Sequence, residues 1–202
     1  MNRVGILAYG SLIEDPGTEI KPLISERKEK VETPFSIEFA RSSSTRDGAP
    51  TVVPVESGGS SVHATILILD AAVSLEKAQD LLWRRETRNE TTNRHYTPPV
   101  EPNPNRMVVE KLDNFTGIDV VIYTKLGANI TDRSAAKLAD LAIKSAKEKA
   151  GKAGKDGISY LLSVKRQGIS TPLMKEYENE ILQKTNTSSL EGALRWCCEK
   201  NV

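Results

Sequence analysis

The sequence predicts an α+β fold in a single domain, and three observations lead there. Apolar, β-branched segments bounded by turn residues crowd the chain as far as Lys125, whereas segments of helical spacing dominate from Ser134 onward. Strands gathered ahead of helices argue for segregated elements and against the alternation of a doubly wound parallel sheet. The 202 residues, 38% hydrophobic and 27% charged, supply one substantial core and do not call for two, so residues 1–202 are read as one domain.

The first strand is expected over residues 4–9, where Val4-Gly5-Ile6-Leu7-Ala8 shows no polar alternation and so reads as covered on both faces. It feeds directly into Tyr9-Gly10-Ser11-Leu12. Gly10 permits backbone angles that other residues resist, and such an elbow can aim successive N–H groups at one point, forming an anion-binding concavity. The same residues also fit an ordinary turn. Further strands are expected over 35–40, 51–55, 62–69, 106–112 and 118–125, with Pro54 marking an edge or irregular strand. Helices are expected over 75–88 behind Ser74 and over 134–149 behind Thr131 and Asp132. A third begins at Pro172 after Thr171, and a fourth opens with Ser188 and Glu191 in capping-box spacing, ahead of Leu190, Leu194 and Trp196. Residues 93–105, which contain four prolines, read as a loop of the kind that covers a site, and 147–157 as a flexible basic connection.

Charge and cysteine usage narrow the partners. Twenty-eight Lys and Arg stand against twenty-seven Asp and Glu, a net +1, so no overall field draws the protein to nucleic acid or an anionic membrane. A small molecule or a protein is the expected partner. The only cysteines, Cys197 and Cys198, are adjacent and cannot staple the fold, and the opening apolar run is too short for a signal peptide. A reducing, cytoplasmic location is expected. With two histidines, His63 and His95, and no Cys-x-x-Cys, no metal site is expected. Neither a phosphate-binding P-loop nor a dinucleotide fingerprint is present, so nucleotide binding by a standard loop is not expected. Ser11 lacks the second glycine of a nucleophile elbow and has only His63 or His95 as a base, which disfavours a serine hydrolase.

What remains is a carboxylate in an odd place. Leu75, Ala78 and Leu82 form the inward stripe of the helix after Ser74, and Glu86 is its next member. Eleven residues at 100° each return Glu86 to within about 20° of the direction of Leu75. A carboxyl partly withdrawn from water suits general acid/base work. Pairing of Glu86 with Arg84, Arg85 or Arg88 at the helix end accounts equally well for its position.

Four stretches share one resemblance. They are Tyr9-Gly10-Ser11-Leu12-Ile13, the run FARSSSTRDGAPTVVPV over 39–55, Leu82-Trp83-Arg84-Arg85-Glu86, and Gly157-Ile158-Ser159-Tyr160-Leu161-Leu162. In order and spacing the chain resembles the γ-glutamylcyclotransferase-like proteins over about residues 3–182, and within them the ChaC-like, glutathione-degrading branch. Residues 183–202 would form a C-terminal helix beyond it. The resemblance implies a small mixed β-barrel with helices packed around it and a pocket at its mouth. It implies that Tyr9, Gly10, Ser11 and Leu12 hold a γ-glutamyl group, that Glu86 is the catalytic acid/base, and that Tyr160 lines the site. Arg41 and Arg46, in the polar loop after a strand, fit a substrate-binding role by pairing with a carboxylate, and equally fit contact with water alone. Tyr160 equally fits a core aromatic. The implied reaction is cofactor-independent: a γ-glutamyl compound (glutathione, a γ-glutamyl amino acid or a γ-glutamyl amine) cyclises to 5-oxoproline and releases its amine. A non-catalytic small-ligand-binding or regulatory module on the same fold is the alternative. Glu14 after Ile13 and Thr87-Arg88-Asn89 after Glu86 depart from the branch pattern, which leaves the identity of the amine open.

Overall fold

The computed structural model describes residues 3–101 and 103–199, and its elements fall into two units, 3–33 with 63–127 and 34–62 with 128–199. In the first unit β1 (Val4–Ala8) is central to a five-stranded sheet with β2 (Ile24–Glu32), β5 (His63–Leu69), β6 (Val108–Phe115) and β7 (Ile118–Lys125), in the order β2-β5-β1-β7-β6. β1 runs antiparallel to β5 and parallel to β7, so the sheet is mixed. Every residue of β1 is buried, as its uninterrupted apolar run requires. Its even-numbered side chains Val4, Ile6 and Ala8 meet Leu67, Leu69 and Ile122 in one core. The helix α2 (Leu75–Glu86) closes that core with Ala78, Leu81 and Leu82 and packs on β1, β6 and β7. Ser74 Oγ begins α2 by accepting from Lys77 N at 3.2 Å.

The α+β class is observed, but the expected barrel is not: β2 and β6 each pair on one side only, so among the described residues the sheet is open. β2 itself has no counterpart among the expected strands. Its sequence ISERKEKVE is charged and mostly exposed because it is an edge strand whose only strand partner among the described residues is β5. Two register shifts interrupt that pairing, and Lys30 beside the second has φ 57°.

The second unit holds the antiparallel ribbon β3 (Ser36–Ser43) and β4 (Ala49–Val55) with α3 (Ala135–Ala146), α4 (Lys149–Lys152), α5 (Gly157–Arg166), α6 (Met174–Thr185) and α7 (Leu190–Glu199). Pro54 lies in β4, whose one strand partner among the described residues is β3, so β4 has the edge position that a proline tolerates. The stretch expected as a flexible connection contains α4 and leads into α5. Asp47 Oδ2 accepts from Ala150 N at 2.7 Å, and buried Asp156 opens α5 by accepting from Ile158 N at 2.8 Å and Ser159 N at 3.0 Å. α6 begins at Met174, two residues after the expected Pro172, because the turn before it is tied to a strand. Buried Glu38 of β3 accepts from Thr171 Oγ1 at 2.6 Å and Leu173 N at 3.0 Å. At α7 the capping oxygen belongs to Ser189, which accepts from Gly192 N at 3.1 Å, and not to the expected Ser188.

Candidate active site

In the first unit, β1 ends where Gly10 takes φ 66° and ψ −141°, a conformation that side chains resist. The chain then turns into the short helix α1 (Ser11–Glu14), with Ile13 N donating to Gly10 O at 3.2 Å and Asp15 N to Ser11 O at 3.0 Å. Tyr9 fixes the elbow to β7 by donating its hydroxyl to Thr124 O at 3.1 Å. Leu12 is buried in the core, and Ser11 faces outward.

Glu86 is the last residue of α2, and its side chain is 21% accessible. Its carboxylate accepts from Arg85 Nη1, and Arg85 Nη2 donates to Asp15 O at 2.5 Å. One guanidinium thereby joins the acid at the end of α2 to the residue that closes α1. Gly17 makes this approach possible: at φ 87°, a Cβ there would lie 2.8 Å from Arg85 Cγ and 2.4 Å from Glu90 Oε1. Glu90 instead accepts from Thr18 N at 2.7 Å. On the other side of the same loop Arg84 grips Glu19 as a fork, Nε to Oε2 at 2.8 Å and Nη2 to Oε1 at 2.9 Å. The hydrogen bonds from Arg84 hold the Glu19 carboxyl below the usual carboxylate range against the opposing effect of burial, and Arg84 is correspondingly raised by Glu19.

The proline-rich loop is fastened to α2 as well. Asp80, buried on that helix, accepts from Tyr96 N at 2.7 Å and meets His95 Nδ1 at 2.6 Å. Burial pushes the Asp80 carboxyl upward, but the Tyr96 N–H, His95 and the charge of Arg84 outweigh it and leave the group below its ordinary value. Arg84 Nη1 donates to Arg94 O at 2.9 Å, and Val109 N donates to Tyr96 Oη at 2.9 Å. Asp80 and Arg84, four residues apart on the buried side of α2, were visible in the sequence as a helical Asp-x-x-x-Arg pair. Nothing in the pattern named their partners, Tyr96 and Glu19, because both come from irregular loops.

Arg46 and Tyr160, the other two expected site residues, belong to the second unit. The Arg46 guanidinium lies 4.9 Å from the centre of the Tyr160 ring and donates to Lys155 O at 3.1 Å. Tyr160 lies within α5 and meets Phe39 edge-on at 6.2 Å, so it also serves the packing of that unit. Tyr9, Gly10, Ser11, Leu12 and Glu86 share the first unit.

No protein-family model matches the chain, and no curated protein matches it. Among the described residues no group of three or more His, Cys, Asp and Glu side chains is arranged as metal ligands, and no helix is long and apolar enough to cross a membrane.

Proposed function

We propose that the chain is a γ-glutamylcyclotransferase-like enzyme, converting a γ-glutamyl compound into 5-oxoproline and a free amine without a cofactor. The motif resemblance supplies the reaction. The observation that carries it to this chain is the tie through Arg85 between Glu86 and Asp15, which brings the end of α2 to the segment that follows the Gly10 elbow. In a γ-glutamyl compound the α-amine is tethered to the γ-carbonyl that it attacks. The enzyme therefore has only to hold the chain curled and move protons, and orientation of that kind contributes several kcal/mol.

Glu86 takes a proton from the substrate ammonium and returns one to the departing nitrogen, a role worth roughly 10²- to 10⁴-fold in rate. Backbone N–H groups of Gly10, Ser11 and Leu12 serve either the substrate α-carboxylate or the oxyanion, and an oxyanion donor contributes about 3 kcal/mol.

The ion pair of Glu86 with Arg85 favours a second reading, a binding module in which that carboxylate has only a structural partner. A panel of glutathione, γ-glutamyl amino acids and γ-glutamyl amines separates the two. An enzyme yields 5-oxoproline from at least one member, and Glu86→Gln abolishes the product while leaving the circular dichroism spectrum unchanged; a fully active Glu86→Gln variant overturns the assignment.

A further inference from the structure

We propose that Arg85 and Glu86 together receive the α-amino-acid head of the substrate, Arg85 taking the α-carboxylate and Glu86 the α-ammonium. The inference rests on the cyclotransferase reading for the reaction, but the recognition it describes is separable from turnover. Opposite charges stand on adjacent residues at the end of α2. A free α-amino acid carries the mirror of that arrangement, a carboxylate and an ammonium on one carbon. Insertion of such a head replaces one internal ion pair with two external ones.

The two side chains have the capacity for it. Among the described residues the Arg85 guanidinium donates to Glu86 and to Asp15 O and to nothing else, so donors of its fork remain unused. Glu86 Oε2 accepts from no described protein donor. When Glu86 exchanges partners, Arg85 keeps its bond to the Asp15 carbonyl, and its stem stays where bare Gly17 admits it. A guanidinium so anchored binds a carboxylate in a fixed direction, as a lysine would not.

The exchange also places the ammonium beside the group that must deprotonate it. One proton passes from the ammonium to Glu86, and the freed amine nitrogen forms its bond to the γ-carbon. The bond from that carbon to the leaving nitrogen breaks as the nitrogen takes the proton from Glu86. The second proton shed by the ring nitrogen passes through Glu86 to the departing amine, which leaves as an ammonium ion. With the α-carboxylate on Arg85, the N–H groups of the Gly10 elbow are left for the oxyanion.

The test compares γ-L-glutamyl anilide with its α-carboxamide. The wild-type enzyme prefers the acid in kcat/KM by about 10- to 100-fold, the span expected for charge-assisted hydrogen bonds. Arg85→Met brings that preference close to one, whatever it does to the turnover of the two compounds in common. Equal use of both compounds by the wild type, or an undiminished preference in Arg85→Met, overturns the proposal. If no γ-glutamyl compound is turned over, the cyclotransferase reading fails and calorimetry still decides the inference. L-Glutamate should bind, N-acetyl-L-glutamate and the α-amide of glutamate should bind at least about tenfold more weakly, and Arg85→Met should remove the difference between L-glutamate and its α-amide. Absence of L-glutamate binding, or equal binding of the three, overturns it.

Discussion

Arg84 is 4% accessible and Glu19 20%, so Arg84 recovers little hydration if Glu19 is removed. A broken pair of this kind leaves an uncompensated charge in a poorly solvated place, which costs about 3 kcal/mol. Glu19→Gln should therefore lower the unfolding free energy by about that amount in urea titrations, and adding Arg84→Met to it should cost less than the sum of the two single changes. An additive double variant would show that the two side chains do not act as a unit. Arg85, the next residue, holds a loop carbonyl and the carboxylate of its own neighbour, and its replacement should be felt in ligand recognition more than in stability.

At the scale of elements, α2 serves as a mast to which two irregular segments are lashed: residues 15–19 by Arg84 and Arg85, and the proline-rich loop by Asp80. Asp80→Asn removes the charge that meets His95 and weakens the acceptor for Tyr96 N, so the loop over 93–105 should exchange amide hydrogens faster and be cut sooner by protease. Unchanged protection of Tyr96 would show that the prolines alone hold the loop. Elements with strong apolar periodicity were legible in the sequence: β7 was expected over 118–125 and observed there, and α2 differs by two residues at its end. β2 was not, because an edge strand has no apolar row to show. α5 was hidden by its glycine start, since the buried cap Asp156 reads in sequence as one more charge in a basic run. Glu86 could be placed on the inner stripe of α2 by spacing, and Arg85 was one of three possible partners. Its second tie, to the carbonyl of Asp15, depends on a loop path that only Gly17 reveals.

Over the whole molecule, two of the lowered carboxylates, Glu19 and Asp80, lie in the first unit. Because their folded values are below their unfolded ones, their contribution to stability is fully present above about pH 5 and is lost as the pH falls through the folded values. Each unit carries one tryptophan, Trp83 in α2 and Trp196 in α7, so the effect can be localised. In a Trp196→Phe variant the urea midpoint followed by Trp83 fluorescence should fall between pH 5 and pH 3 and should fall less steeply when Glu19 is also Gln. An acid response independent of Glu19 would assign the effect to other groups. A different consequence follows from β2, whose outer side has no strand partner among the described residues. Most amyloid-like growth starts when a foreign strand docks along an open sheet margin, and here the newcomer would meet a row of lysines and glutamates on a backbone whose spacing slips twice. This margin of the sheet is thus guarded against copies of itself, and β2-to-β2 pairing should not form even in a crowded solution of the protein.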